Sequence, residues 1–569
     1  MNFTKIYFQE YKKIIFLLII GLIIYRSPDL FLHPRFWAEE ATLYFKSIYE
    51  NSFLEGLFFI PRYTAEYITL SVNIPLTFAA HIFPLEYASA VSTYFSLFIL
   101  LIPFSIVLWG DSHLWDSPTK KFLACLIILL APTSTDAEIW LNTINLQVHC
   151  GIISVCLLFE KLDSPSIWKK WSYRILLIFC GLSGPYTMFL SLVFLLKAWH
   201  EKSKESLWLL LIVFITSSIQ ASLFLIIHHL DMVSPTKISH FDWVKAPIYI
   251  FNYHIMTPLL GIWVRLGANV EDFMITGKLK GTSLLVVCLA TIITTTIILY
   301  WLSKNKISIY RILLLIAFLS VSLLVTYGSM HSIPYGRYAV IPGILFLLLI
   351  LDNIDLNQKR NFKSYFLLTL LGISFVMGFF SFKDKAYWMA YIEGAPKWTN
   401  EIAQWTQNYD HPIASWPYPW HDSSWHFYLS DRELMKNFKE KIQSIHKIEL
   451  ISKNGQWAEK IIEVEGLPID FHFIFIALIT GDTKMYDAKI EYLGEHNEFY
   501  GEYSIINALN QQTHAILDFY SVDRSTQPHT KMIEKYQAVK KLVFRLRSNT
   551  STSLKINDLK ITAQKMSVF

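Results

Sequence analysis

A succession of eleven apolar runs constrains this chain more than any other feature of it. The runs fall near 14–25, 86–109, 122–133, 146–160, 172–182, 185–199, 207–228, 281–302, 310–327, 338–352 and 364–381. A bilayer's hydrocarbon core asks for ~20 apolar residues per crossing helix. The chain therefore reads as a polytopic α-helical membrane protein with eleven transmembrane helices. Several runs are short, and the first needs its flanking residues to complete a crossing. Composition agrees, with 53% hydrophobic, 16% aromatic and only 17% charged residues. Lys12-Lys13 precedes the first run, but no small-residue cleavage site follows it, so the run reads as an uncleaved span. The net charge of +5 is too small and too dispersed to argue for a nucleic-acid partner, and none is expected. The five cysteines lie in or beside apolar segments, so no disulfide framework is expected.

Two further segments, 41–60 and 64–83, are apolar but interrupted by Glu50, Glu55, Pro61, Arg62, Glu66 and Pro75. They read as two surface helices along the membrane face in the first outer loop. Lys and Arg favour cytoplasmic loops, which tests that reading. With eleven crossings and a cytoplasmic N-terminus, the inner segments carry Lys5, Lys12 and Lys13; Lys120 and Lys121; Lys161, Lys169 and Lys170; Lys202 and Lys204; Lys304 and Lys306; and Lys359, Arg360 and Lys363. Counting 64–83 as a crossing would invert this pattern from Lys120 onward. The loops 26–85, 134–146 and 229–280 and everything after about 382 then lie outside. Residues 1–381 form the transmembrane domain and 382–445 a tryptophan-rich helical connector. Residues 446–569 read as a C-terminal extracytoplasmic β-sandwich, with strands near 447–452, 460–465, 470–478, 487–493, 514–520, 541–547 and 554–562.

Chemistry concentrates in three outer segments. Glu39 and Glu40 follow the first span, within His33-Pro34-Arg35-Phe36-Trp37-Ala38 and the acidic pair. A transferase that moves a sugar onto a hydroxyl needs a base for the hydroxyl proton, and a second carboxylate can orient the acceptor or hold a metal. The plainer alternative is acidic charge at a helix start, where the dipole favours it. Glu138, Asn142 and Asn145 are spaced by four and three, as on one helical face; they serve a site or bond helices together. Arg337 and Tyr338 open the span 338–352, where an arginine can bind phosphate bidentately or snorkel to the interface. Arg62 and Glu66 could face the same cavity or form a structural ion pair, and His254 and Arg265 fall in the long loop 229–280, a candidate lid. His228, His229, Asp231, His240 and Asp242 show no diagnostic metal spacing. No phosphate-cradling glycine loop, nucleotide fingerprint or nucleophile elbow is present.

These motifs and their order resemble the class C glycosyltransferases, multispanning enzymes that use polyprenyl-phosphate sugars, and more narrowly bacterial O-antigen glucosyltransferases. The carriers are Arg26-Ser27-Pro28-Asp29-Leu30 through Pro34 to Glu40, then Glu138, Asn142, Asn145 and Gln147, then Gly336-Arg337-Tyr338, and Trp416-Pro417-Tyr418-Pro419-Trp420. Related sequences often read Trp-Ala-Glu-Asp where this one has Trp37-Ala38-Glu39-Glu40. The resemblance implies a sugar, such as glucose, on undecaprenyl phosphate as donor, and a glycan acceptor such as O-antigen on lipopolysaccharide. It implies a site on the periplasmic side of the bacterial inner membrane, and Glu40 or Glu39 as base. Arg337 would steady the leaving phosphate, and Glu138 would orient substrate or help hold a divalent ion, Mg2+ or Mn2+, which some members use and others do not. A lipid-linked glycan flippase and a polysaccharide polymerase or ligase are the rival readings.

Overall fold

The computed structural model describes residues 3–61, 67–132, 139–162, 166–229, 245–261, 308–329, 336–355, 362–382, 396–408, 411–416, 426–427, 429, 448–452, 457–463, 472–480, 485–493, 499–509, 515–518, 541–548 and 554–564. The chain divides into two compact units: Met1–Gln404 with Ala414–Phe427 and Phe569, and Trp405–Ile413 with Tyr428–Val568.

The first unit is helical. Its described helices are α1 (Phe3–Arg26), α2 (Pro28–Leu32), α3 (Lys46–Glu50), α4 (Phe53–Leu57), α5 (Leu70–His81), α6 (Ala88–Trp109), α7 (Pro118–Leu130), α8 (Leu146–Phe159), α9 (Ile167–Gly181), α10 (Tyr186–Phe189), α11 (Ser191–Glu201), α12 (Lys204–His229), α13 (Lys245–Tyr249), α14 (Thr257–Leu260), α15 (Ile309–Ser329), α16 (Val340–Asp352), α17 (Phe362–Ser381) and α18 (Trp398–Gln407). Two π-helical turns, Glu40–Phe45 and Ile250–Met256, interrupt the series. Four stretches, Leu85–Trp109, Lys204–Ile227, Ile309–Gly328 and Phe362–Ser381, are long and apolar enough to cross a membrane. Only 22% of the apolar window of Lys204–Ile227 is buried within the protein. Phe214 and Leu225 on it stand 67% and 65% exposed. Apolar surface on that scale is not left to water, so lipid covers it. The centre of the bundle is made by two shorter helices. Every residue of α8 except Gln147 is buried, as is every residue of α16 except Asp352; a helix apolar all round belongs inside. Gly151 lets α8 approach closely, since a Cβ there would lie 2.3 Å from Ile341 Cδ1 and 2.9 Å from Tyr186 Cβ.

Several sequence expectations change in detail. The first run belongs to a 24-residue helix. The run 185–199 is divided at Leu190 between α10 and α11, and 281–302 lies outside the described residues. The expectation of two surface helices in the first outer loop needs correction. Segment 41–60 is one π turn followed by two five-residue helices. Helix α5 is an internal helix that buries Ser71, Val72, Asn73, Pro75, Leu76, Thr77, Ala79 and Ala80. Asn73 Nδ2 donates to the carbonyls of Leu57 (3.1 Å) and Phe59 (2.7 Å). Small polar residues that resemble a polar face in sequence are here the packing surface.

One end of this bundle gathers charge. The loop after α6 is zipped to the loop after α8: His113 N and Ser112 Oγ donate to Phe159 O (3.1 and 3.0 Å), and Lys161 N donates to Asp111 O (2.6 Å). Glu205 pairs with Arg174 at 2.8 Å and Lys170 at 3.6 Å, and Arg311 with Asp352 at 2.6 Å. These are helix ends that the parity of basic residues assigns to one side.

The second unit contains eight described strands, β1 (Ile448–Ser452), β2 (Ala458–Glu463), β3 (His472–Thr480), β4 (Met485–Leu493), β5 (Phe499–Leu509), β6 (Ala515–Asp518), β7 (Lys541–Ser548) and β8 (Leu554–Gln564). They form two four-stranded antiparallel sheets, ordered β1-β8-β3-β6 and β2-β7-β4-β5. Strand β5 is absent from the expected set. Gly501 weakens its strand signal, and in the sheet Gly501 stands opposite Tyr492 beside a register shift.

Gly378 provides a test of this packing. A Cβ there would fall 1.7 Å from Leu130 O, a backbone atom of α7. Gly378→Ala is expected to destabilise the protein by ~1–3 kcal/mol through overpacking. Gly372→Ala on the same helix has nothing within 4 Å, so its melting temperature in detergent should match or exceed that of the unaltered chain.

Candidate functional site

The acidic turn is built around one buried carboxylate. Glu40 is 0% exposed and opens the π turn Glu40–Phe45. Its Oε2 accepts from Trp37 N at 2.8 Å, reaching back three residues in the manner of a helix cap. Its Oε1 accepts from Ser92 Oγ on α6, from Thr143 N at 2.8 Å and from Thr143 Oγ1 at 2.5 Å. Burial pushes the Glu40 carboxyl above its ordinary value, and the bonds from Ser92, Thr143 and Trp37 act against that rise. Glu39, one residue earlier, is half-buried.

Backbone strain sits on both sides of this carboxylate. Among the described residues, three non-glycine positions have positive φ, and two of them are Ala38 (φ 47°) and Leu141 (φ 53°). Non-glycine residues in that region carry a cost that surrounding structure must offset. Around Ala38 the restraint is the segment after α18. Ala38 N donates to Trp416 O, and Trp416 N donates to Phe36 O at 3.2 Å. The Arg35 guanidinium lies 3.7 Å from the Trp416 ring centroid. Trp398 on α18 adds edge contacts to Phe36 (4.8 Å) and Phe45 (5.7 Å).

The second expected segment is not a helix. Residues 139–145 form a loop, and Asn145 is the cap of α8. Asn142 Oδ1 accepts from Asn145 N (3.1 Å) and Nδ2 (3.0 Å), an asparagine-led turn that competes with helix. The single helical face expected for Glu138, Asn142 and Asn145 therefore does not extend through Asn142 and Asn145. Trp140 anchors the loop, with the Arg26 guanidinium 4.2 Å from its ring centroid. The loop joins the other two elements. Thr143 bonds Glu40, and Asn145 Oδ1 accepts from Arg337 NH1 at 3.4 Å. Arg337 also donates to Tyr338 OH at 3.3 Å.

A further group of polar side chains lies beside these. Tyr67 OH donates to Gln147 Oε1 at 2.9 Å. Gln147 packs against Gly184 (φ 116°), where a Cβ would fall 2.8 Å from Gln147 Cβ. Tyr67 is placed by its neighbour Ile68, whose N–H and C=O both bond the Gln220 side chain at 3.0 Å. Tyr44 is buried and within electrostatic reach of Tyr67 and Glu39; burial pushes its phenol up. Tyr186 is likewise in reach of Tyr338, Tyr67 and Arg337. Ser92 and Thr143 left little sequence signal, because isolated polar residues in or beside apolar runs look like ordinary interhelical bonding; Gln147 is marked only as a carrier of the family resemblance.

The expected residues thus divide. Glu39, Glu40, Asn142, Asn145, Arg337 and Tyr338 belong to one connected group. Glu138, Arg62, Glu66 and Arg265 lie outside the described residues. His254 sits buried on the π turn Ile250–Met256, and neither ring nitrogen has a hydrogen-bond partner among the described residues. Among the described residues no three His, Cys, Asp or Glu side chains stand close enough to hold a metal ion.

No family model matches the chain, and no curated protein matches it. Among solved structures, the arabinosyltransferase EmbB from Mycobacterium smegmatis is similar at 11% identity and a TM-score of 0.27. The match covers 96% of this chain and 65% of that one, so this chain spans just under two thirds of its length. The functional reading comes instead from the residues.

Thr143→Val removes one donor to Glu40 and keeps the backbone donor. A lost bond to a buried charge costs roughly 1–3 kcal/mol. The carboxyl of Glu40 is raised in the folded state, so its contribution to stability falls as pH rises through the interval from its unfolded to its folded value. The hydroxyl supports the ionised form, so the loss in Thr143→Val should be larger at pH 8 than at pH 5. Melting of both proteins at the two pH values measures this; equal losses would show that Glu40 does not change its protonation between them.

Proposed function

We propose that the chain is a membrane glycosyltransferase of the class C type, transferring a sugar from a polyprenyl phosphate to a hydroxyl of an envelope glycan. The supporting observation is the linkage of three separate segments: Glu40 is bonded to Thr143, and Asn145, two residues further on, is bonded to Arg337. An acidic turn and a phosphate-competent arginine thereby belong to one polar group. In this reading a hexose such as glucose leaves undecaprenyl phosphate, with O-antigen as acceptor. The eleven helices cross the inner membrane with the acidic turn on the periplasmic side. The two sheets of the second unit pack as a sandwich that assists acceptor binding.

The roles follow from environment. Glu40 has both oxygens engaged and no exposure, so it positions the turn. Glu39 is the half-buried neighbour and takes the acceptor proton. The acceptor oxygen attacks the anomeric carbon as the bond to phosphate oxygen breaks, with inversion. The electron pair leaves on the phosphate, whose developing charge Arg337 stabilises. Glu138 orients the acceptor. A divalent ion, where one is used, would add charge stabilisation at the phosphate.

Glu39→Gln in full-length protein in vesicles should lower sugar transfer from a polyprenyl-phosphate donor by ~10²–10⁴-fold while melting stays unchanged. Glu40→Gln should lower melting as well as transfer. Full transfer by Glu39→Gln, with loss confined to Glu40→Gln, would reverse the two assignments; full transfer in both would sink the reading.

A further inference from the structure

We propose that the carboxamide of Gln147 donates to a hydroxyl oxygen of the sugar on the polyprenyl-phosphate donor and determines which sugar is accepted, an inference that rests on the transferase reading above. Gln147 is half-buried in the first turn of α8. Its Oε1 is taken by Tyr67 OH at 2.9 Å. Its Nε2 has no hydrogen-bond partner among the described residues. An amide nitrogen carries two donors. Gln220 on α12 shows the contrasting, structural use of the same side chain. It is 1% exposed, accepts from Ile68 N (3.0 Å), and donates to Ile68 O (3.0 Å) and Gly181 O (3.2 Å). A glutamine that only ties segments together uses both ends of its amide on protein; Gln147 uses the acceptor end alone.

The Gln147 side chain is held rather than left to rotate. On one side is the Tyr67 hydroxyl. On the other is the backbone of Gly184 (φ 116°), where a Cβ would lie 2.8 Å from Gln147 Cβ and 2.9 Å from its Oε1. Glycine is what lets that backbone close on the side chain. The two enclosing segments are themselves tied together. Leu70 N donates to Leu182 O (2.8 Å) and Ser71 N to Ser183 Oγ (3.0 Å), and Gln220 joins Ile68 to Gly181. A donor pair fixed before the ligand arrives gives up little freedom on binding.

Contacts place this amide beside the arginine assigned to the donor phosphate. Helices α8 and α16 meet at Gly151, where a Cβ would lie 2.3 Å from Ile341 Cδ1 and 2.9 Å from Tyr186 Cβ. Four residues before Gly151 stands Gln147, and four before Ile341 stands Arg337, each one turn back along its chain. The two chains run the same way there, since Asn145 Oδ1, just ahead of α8, accepts from Arg337 NH1. The side chains that these contacts bring in are Tyr67, Tyr186 and Tyr338. Aromatic walls with a few fixed polar groups are the usual make-up of a small-molecule site, and neutral amide donors suit sugar hydroxyls, whereas a phosphate calls for the guanidinium.

Native mass spectrometry of the full chain in detergent tests this, comparing undecaprenyl phosphate with its glucosyl, galactosyl and mannosyl phosphodiesters. The unaltered protein should bind one of the sugar-bearing lipids about tenfold more tightly than the bare phosphate. Gln147→Met keeps the length of the side chain and removes both donors. It should erase that preference and leave binding of the bare phosphate unchanged. Tyr67→Phe, which releases the amide, should lower the preference about threefold, and it keeps the test open if Gln147→Met fails to fold. A purely structural Gln147 would lower the melting temperature without changing the order of the lipids. A preference undiminished in either variant would overturn the assignment, as would its absence from the unaltered protein. Equal weakening of the bare and sugar-bearing lipids by Gln147→Met would place the amide on the phosphate and overturn it too. In each of these cases the bare phosphate still binds the unaltered protein, so the transferase reading stands; failure of the unaltered protein to bind any of the lipids would remove that reading and this inference together.

Discussion

The buried carboxylate of Glu40 is the interaction on which the site depends. It draws donors from its own turn, from Ser92 some 52 positions away and from Thr143 a further stretch along the chain, 103 positions from Glu40. A carboxyl without exposure is costly to hold unless it is hydrogen-bonded, and bonds to its ionised form contribute more than neutral ones. The four bonds together fix α6, the loop before α8 and the acidic turn in one arrangement. The strained backbone at Ala38 and Leu141 lies at the two ends of these bonds. Well-bonded groups on both sides are what let such strain persist.

That arrangement separates two residues that look alike. Adjacent glutamates on a chain have the same chemistry, yet the turn places one inside and leaves the other half-buried. A saturated carboxylate cannot take a substrate proton without giving up its donors. The one that orders the turn and the one that acts on a substrate are therefore different residues in the proposed mechanism.

Sequence reading captured the parts governed by hydrophobic periodicity. Ten of the eleven apolar runs fall on described helices, and seven of the eight strands of the two four-stranded sheets overlap expected ones. It failed where small polar residues decide the outcome. Segment 64–83 reads as a surface helix because charge and Pro75 interrupt it, yet on α5 Asn73 bonds the carbonyls of Leu57 and Phe59, Thr77 lies against Gly56 of α4 and Ser71 N donates to Ser183 Oγ. The loop 139–145 carries polar residues at helical spacing, but the Asn142 side chain donates to Trp140 O and accepts from Asn145 N, which ends the pattern. The acidic pair and the arginine were legible as charges near a membrane. Their connection was not, because it runs through Thr143 and Asn145, residues whose long-range partners no local pattern encodes.

The two ends of the bundle solve the same electrostatic problem differently, and the difference bears on function. Glu160 at one end is as buried as Glu40 at the other, but a lysine ammonium lies 2.9 Å from it. Glu40 is held by two hydroxyls and two backbone amides, all neutral. A charge paired with a cation has little field beyond the pair, whereas a charge held by neutral dipoles keeps its field. The lysine-rich end is thus held by paired charge, while the Glu40 carboxyl at the acidic turn is held by neutral donors. Arg337 is joined to the acidic turn through the 142–145 loop, by its bond to Asn145 Oδ1. In the proposed mechanism the acceptor hydroxyl and the leaving phosphate each meet a separate group, and Glu39 and Arg337 come from separate segments of the chain, as those two roles require.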